Sequence, residues 1–567
     1  MSVSKRLRYR FSRYRSGLIA VAIALTLSAT TLFPGVASPK PISLAATEDP
    51  LPLFENLGDH PFAISTDSDL TQQYFDQGLM LAYGFNHAEA ARSFKAAAEQ
   101  DANCAMCYWG LAYVQGPNIN APMDAAAVPT AWEAIQQANS LSRFANIREK
   151  LLIRALAKRY SPDEAADRTQ LDGAYANAMR KVHQRYPGNP DIAVLFSEAL
   201  MDTMPWAYWD EQGNAKPDTV ELLDTLEAVL VDHPDHPGAL HLYIHAVEKE
   251  HPELAVAVAD RLRGLVPDSG HLVHMPSHIY VRVGRYHDAV EVNEDAIEAD
   301  NAYLARSHVP SIYTAAYMPH NHHFKWFGAL MTGQREIALE AAYATGDVAP
   351  EMMRDPDFAG ALQHYYSVPL YTQVRFEQWD DILATPAPEA DLKYPLGIWH
   401  YARGMALTAQ GETDQAQTEL TAVKALAAEP EMADMTIWGF NSTADILHIA
   451  EAVLSGEIAA TQGDYDRAVS DLQKAVELED QLVYTEPPDW YSPTRNLLGK
   501  VLLAAHRYGE AEDVFRADLE VYPANGWSLY GLAHSLHAQD KTTEAGQIQA
   551  QFEEAWQYAD ISLETSS

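Results

Sequence analysis

Cysteine is almost absent from this chain: two in 567 residues, Cys104 and Cys107, spaced as C-x-x-C. The fold must therefore stand without a disulfide framework. Two thiols with no histidine directly after them fit neither a zinc ribbon nor a haem attachment. The pair is left to join in a disulfide, to hold a soft metal, or to pack as small apolar residues. Basic residues are scarce too, 40 against 78 acidic, for a net charge of −38. Such a field repels phosphate backbones, which argues against nucleic acid as a partner, and favours cations and basic partners. Its plainest consequence is solubility. After the first 45 residues no apolar run is long enough to cross a bilayer. Also missing are G-x-S-x-G, a phosphate loop, a dinucleotide glycine fingerprint and H-E-x-x-H. The hydrolase, nucleotide-binding and zincin classes thus gain no support. No alternating pattern is long enough to make a sheet.

What is present starts with a basic N-terminus. Lys5, Arg6, Arg8, Arg10, Arg13, Arg15 and Lys40 fall in the first 45 residues, which hold no acidic residue. Gly17 to Phe33 is mostly apolar, and Ser43 and Ala45 are spaced as a cleavage site requires. Residues 1–45 have the form of a secretory signal, which places the protein in the periplasm or another extracytoplasmic space. The apolar run is also long enough to stay as an uncleaved anchor.

From about residue 70 onward, helical stretches alternate with short turns, and small residues recur at fixed places. The first unit has Tyr74, Gly78, Ala90, Phe94 and Ala97. A central tandem pair has Ala255, Ala259, Leu262 and Pro267, then Ala289, Asn293 and Ala296. Later units carry Gly404, Ala416 and Leu420; Gly456, Ala468, Leu472 and Ala475; Gly499, Ala511, Phe515 and Pro523; and Ala533 with Ala545. Ala255 and Ala289 are 34 residues apart, as are Ala511 and Ala545. Closely crossing helices need small residues at the crossing and one bulky residue to fill the gap beside it. A lone hairpin cannot bury its apolar stripe, whereas a stack can. Residues 117–235 fit the pattern poorly but read as helical at Ala131–Ser140, Ile147–Arg159, Leu171–Tyr186, Ile192–Asp202 and Val220–Asp232, with an insertion at Trp206–Lys216. Residues 341–395 are irregular and include Thr385-Pro-Ala-Pro-Glu389. The division expected is a signal at 1–45, a helical-repeat domain at 46–340, a connection at 341–395 and a second repeat domain at 396–567.

Histidine is unevenly spread. Of 22 in the chain, eleven lie between His241 and His323. His241, His245 and Glu248 are at i, i+4 and i+7 in H-L-Y-I-H-A-V-E, which one helix places on one face. His271, His274 and His278 are at i, i+3 and i+7 in H-L-V-H-M-P-S-H, where Pro276 starts or distorts the helix. Pro319-His-Asn-His-His-Phe324 follows in the next helical segment. Neutral imidazole suits Cu, Zn, Fe and Ni, and two histidines one turn apart can hold an ion that a neighbouring helix completes. The expected ligands are His241, His245, His274, His278 and His320 or His323. Glu248 is a further ligand, an orienting group or a general acid/base. If His245 and His278 share one ion, their nitrogens stand within roughly 3–5 Å. The bland alternative is a satisfied polar core; His251, His287 and His308 are expected to be surface or packing residues.

Other pocket candidates are weaker. Asn118 and Asn120 end a helix in G-P-N-I-N, where capping a turn is the plainer role. The proline-rich stretch Tyr484 to Arg495 holds Glu486, Trp490 and Arg495 in a rigid loop that suits either a pocket or a linker.

The repeat spacing resembles that of the tetratricopeptide superfamily. The resemblance implies an all-α solenoid of stacked helical hairpins whose groove takes a protein or peptide. His241, His245, His274 and His278 occupy first-helix positions that in such proteins tend to face the groove. More narrowly, G-F-N-H at 84–87, Y-W-G-L-A at 108–112, G-P-N-I-N at 116–120, H-L-Y-I-H-A-V-E at 241–248, H-M-P-S-H-I at 274–279, H-N-H-H-F at 320–324 and E-P-P-D-W at 486–490 resemble a group of exported bacterial tetratricopeptide proteins. That resemblance implies fold and export and carries no particular reaction. Two functions follow: a metal centre in a histidine-rich groove, with Lewis-acid or, for Cu or Fe, redox chemistry if it is catalytic; or a non-enzymatic scaffold for an envelope protein or peptide.

Overall fold

The computed structural model describes residues 51–307 and 311–563, which form one compact unit. The signal-like segment and His308 lie outside the described residues. Every regular element among the described residues is helical, and the only strand-like pairings are the isolated bridges Asn118–Ala121, Trp209–Ala215 and Thr436–Ser442. None of the described helices is long and apolar enough to cross a membrane.

Local chemistry fixes many helix starts. Ser68 caps Asp69–Tyr83 by accepting from the Thr71 amide, and Asn86 caps His87–Gln100 through the Glu89 amide. Asn146 with Glu149, and Ser442 with Asp445, form reciprocal capping boxes. Eight hairpins then turn in one way. Backbone bonds run from Asn86 to Leu81, Arg285 to Tyr280, Gln334 to Ala329, Gln378 to Gln373, Glu412 to Leu407, Asp464 to Ala459, Arg507 to Leu502 and Lys541 to Leu536. The residue before each of these donors is left-handed, the geometry that closes a helix on its own carbonyls. Glycine fills that position at 284, 333, 411 and 463, whereas Phe85, Glu377, His506 and Asp540 fill it elsewhere.

The recurring small residues are slots. A Cβ on Gly499 or Gly531 would stand 2.3 or 2.2 Å from the Phe515 ring, and one on Gly78 or Gly110 would stand 2.8 or 2.4 Å from Phe94. Each bulky side chain is therefore clasped between the first helix of its own unit and that of the next. The poorly patterned stretch is helical too, at Val128–Ser140, Ile147–Leu156, Arg168–Arg185, Pro190–Met201 and Pro217–Asp232.

The chain folds back on its centre from both ends. The helix Asp69–Tyr83 packs on Pro237–Val247. At the other end, a Cβ on Gly284 would lie 2.4 Å from the Pro523 carbonyl, and this residue has φ +80°, so both position and conformation demand glycine. The Trp527 indole donates to the Leu330 carbonyl, and Tyr558 stacks on His287. The central helices at 237–331 thus become a junction rather than one link in a row.

Candidate metal centre

Four helices meet at that junction. Pro237–Val247 supplies His241 and His245; Gly270–His274 and Pro276–Arg282 supply His271, His274 and His278; Met318–Met331 supplies His320. Pro276 opens the second short helix as its first residue, so the histidine series is broken at Met275. His271 and His274 both precede it in one helix, their rings 5.8 Å apart, and His271 also reaches the neighbouring helix. Its ring lies 4.9 Å from that of His241, and those of His241 and His245 are 4.8 Å apart. The ligand atoms gather into two sets, His241–His245–His271 and His274–His278–His320, each with its nitrogens within 4.8 Å of one another. The two sets touch: the His245 and His278 rings are 5.7 Å apart, and those of His271 and His274 are 5.8 Å apart.

His245 and His278, expected to share one ion, fall into different sets. His323, expected as an alternative to His320, also lies elsewhere: its ring stacks on Trp326 and meets His364 and Tyr365.

Hydrogen bonds fix which nitrogens face inward. The His241 Nδ1–H donates to the Tyr83 carbonyl at 2.6 Å, so the Nε2 lone pair is free, and nothing bonds it. His245 Nδ1 is 3.4 Å from Glu248 Oε1, and its Nε2 has no partner. Neither ring nitrogen of His271 has one. These rings are buried, with His241, His271 and His245 exposed by 0%, 2% and 3%. In the second set, Asn293 donates its amide to the Ala289 carbonyl, so its oxygen accepts from His274 Nδ1 at 2.7 Å. His278 Nδ1 lies 2.6 Å from Glu486 Oε2, and the Tyr484 hydroxyl donates to Glu486 Oε1. The Nε2 atoms of His274 and His278 then face each other at 3.0 Å.

Burial sets the electrostatics. It lowers the pKa of His241 to about 3 and that of His274 to about 4, and drives those of His245, His271, His278 and His320 well below the usual 6.5. The imidazoles are therefore neutral at neutral pH, the form in which imidazole can ligate a metal. Burial raises Glu486 to about 8 against the opposing pull of Arg282 and Tyr484. It also lifts Glu248 well above its ordinary value, helped by the Glu486 charge.

Phe85 and Trp206 wall the first set. Phe85 lies over His241 at 4.5 Å and stacks near His271 at 5.4 Å; Trp206 meets His245 edge-on at 5.5 Å. Both have left-handed backbones, φ 56° and 59°. In four hairpins glycine holds the turn position that Phe85 holds here, so a ring against the histidines comes at a conformational cost of order 1 kcal/mol.

The other candidates divide. Glu486 enters the cluster from a distant loop. Trp490 is core, packed on Tyr371, Tyr401 and Tyr491. Arg495 points outward to a bidentate pair with Asp480. Asn118 accepts from the Asn120 and Ala121 amides, the turn-capping role. Asn118 and Asn120 also face the Tyr317 hydroxyl, whose ring meets His271 at 4.8 Å. His251 sits beside Glu253, and its ring lies on Trp209. Cys104 and Cys107 are joined in a disulfide at a helix start.

One further group escaped sequence reasoning. His60 Nε2 lies 2.7 Å from Asp191 Oδ1, and His236 Nε2 lies 3.5 Å from the same oxygen. His236 Nδ1, however, accepts the Ala239 amide as a helix cap, so its proton sits on Nε2 and no lone pair faces the carboxylate. Burial alone would raise Asp191, but the hydrogen bonds from His236 and His60 outweigh it and hold that carboxyl well below its usual range. This group is a clasp between chain segments and is not a ligand set.

A surface groove of about 440 Å³ between the helices at 168–185, 190–201 and 217–232 is lined by His183, Glu221 and Asp224 among others, and by none of the clustered histidines.

Residues 453–481 match the tetratricopeptide repeat family. No curated protein matches the chain. Among solved structures, the human IFIT1 dimer with m7Gppp-AAAA is 13% identical, over 81% of this chain and 90% of that one, with a TM-score of 0.30. The P58(IPK) TPR domain is 13% identical over 84% and 99%, with a TM-score of 0.21. The Cut9–Hcn1 hetero-tetramer gives 12% over 86% and 94%, with a TM-score of 0.23. At such scores the likeness says nothing of ligand or partner. The chain thus carries a tetratricopeptide repeat at 453–481, set among described hairpins of which eight close in the same way.

Proposed function

We propose that this tetratricopeptide repeat protein is exported and holds a transition-metal ion through the Nε2 atoms of His241 and His245 and a ring nitrogen of His271. One observation carries the reading: four buried imidazole nitrogens in this set have no hydrogen-bond partner. Each such atom costs about 1–3 kcal/mol when left unsatisfied, and a single cation would satisfy one nitrogen from each ring. The Tyr83 carbonyl and Glu248 act as the outer partners that metal-binding histidines normally have, fixing ring orientation and raising basicity. Imidazole ligands suit Cu, Zn, Fe or Ni. The N-terminal signal pattern supports export, and the Cys104–Cys107 disulfide suits an oxidising compartment.

A second reading, a scaffold for a protein or peptide, is favoured by the repeat matched at 453–481. The two readings are compatible if the ion fixes the junction on which the repeats pack. The test is reconstitution of the untagged mature protein with Cu, Zn, Fe and Ni, followed by dialysis and elemental analysis. The parent should retain metal, and a His241→Ala, His271→Ala variant should lose it. A parent free of all four metals would sink the metal reading and leave the scaffold.

A further inference from the structure

We infer that the cluster is built for two ions, the second held by His274, His278 and His320 directly beside the first. This rests on the metal reading above and adds a separate site to it.

The spacing of the second set is that of a shared ion. Two imidazole nitrogens at about 2.0–2.1 Å from one metal stand roughly 3–3.4 Å apart for angles between 90° and tetrahedral. The His274 and His278 Nε2 atoms stand 3.0 Å apart. The Nδ1 atoms of both rings are engaged on the outside, with Asn293 and with Glu486, so both Nε2 atoms point inward at each other.

Three further features favour the ion. His320 brings a third nitrogen within 4.8 Å, which a two-ring hydrogen bond does not need. Two carboxyl groups flank His278, with Glu486 Oε2 at 2.6 Å and Glu248 Oε2 at 3.3 Å from its Nδ1. Finally, Glu248 reaches both sets, its Oε1 at 3.4 Å from His245 and its Oε2 at 3.3 Å from His278. One carboxylate therefore lies beside both sets, bonded to His245 and with its other oxygen unpaired next to His278. Two ions in sets whose rings stand 5.7–5.8 Å apart are neighbours.

The probe is Cu(II) alone, added to the full mature chain without an affinity tag, with loosely bound ion removed on a chelating column. Copper is counted by elemental analysis and spins by electron paramagnetic resonance. Two coppers per chain with far less than two spins of signal are expected, because adjacent Cu(II) ions couple. His320→Asn should then hold one copper with one full spin, and circular dichroism should match the parent. One copper with one spin in the parent overturns the second site and leaves the first reading standing. Two coppers with two uncoupled spins place the second ion elsewhere and also overturn it. A parent that retains no copper overturns the second site, and one that also retains no zinc, iron or nickel in the reconstitution above overturns the first reading too.

Discussion

The central junction and the C-terminal hairpins share one architecture and fill it in opposite ways. In the C-terminal part, Gly499 and Gly531 clasp Phe515, and Leu498, Leu502, Leu532 and Leu536 complete an apolar core. In the centre, the equivalent interior is lined by imidazoles, several with nitrogens that nothing satisfies. The first is what stability asks of a repeat. The second leaves buried polar atoms unpaired at a cost in stability, and the proposed ion would offset that cost.

The contrast can be broken from the C-terminal side first. Phe515→Ala empties a slot with glycine on both faces and should cost about 3–5 kcal/mol. Urea unfolding followed by hydrogen exchange should place that loss in 494–555, with metal content unchanged. If metal is lost as well, the two regions are not independent.

In the centre, His271→Leu replaces a ring whose two nitrogens have no partner by an apolar side chain. Metal binding should fail, while metal-free stability should hold or rise, by up to about 1–3 kcal/mol. A loss as large as that from Phe515→Ala would mean that the histidines are ordinary core.

Acid should separate the regions without mutation. His241 and His274 stay neutral in the fold, with pKa about 3 and about 4 against 6.5 in the open chain. The unfolded chain gains protons that the fold refuses, so the centre loses roughly 1.4 kcal/mol per such ring per pH unit from 6.5 down towards 4. Glu479 and Asp489 are raised by burial to about 7 each, from 4.5 and 3.8. Their contribution is full below about 4 and fades as pH rises through 7. Hydrogen exchange of the metal-free protein, corrected for intrinsic rates, should show the segment 441–494 firmer at pH 5 than at pH 7, and the segment 237–282 looser. Parallel changes in both would contradict these assignments.

The smallest effect belongs to Arg495→Ala. Its pair with Asp480 is at the surface, so the loss should stay within about 1 kcal/mol with metal unaffected.

Much of this was legible in the residues. The glycine and alanine recurrence announces the hairpins because a close helix crossing tolerates little else. The i, i+4 pair His241 and His245 and the pair His274 and His278 come together as their spacing implies. The division into two sets was not legible. It depends on how the helices cross, which sets His271 against Phe85 and His241, and no local spacing records such a tertiary contact. His320 and His323 differ by three residues, about 300° of helical rotation, and the remaining 60° carries His323 past the seam to Trp326. Glu486 sits 208 residues from the histidine it meets, and no local pattern records such a contact. The clasp of His60, Asp191 and His236 escaped for the same reason.

The account turns on whether the inward nitrogens hold a metal. Crystals of the reconstituted protein, measured at the absorption edge of the metal found by elemental analysis, answer that directly. An anomalous peak should stand about 2.0–2.1 Å from the Nε2 atoms of His241 and His245 and from a ring nitrogen of His271. Density showing these nitrogens bonded only to water or to protein groups, with no anomalous signal among the rings, would contradict it.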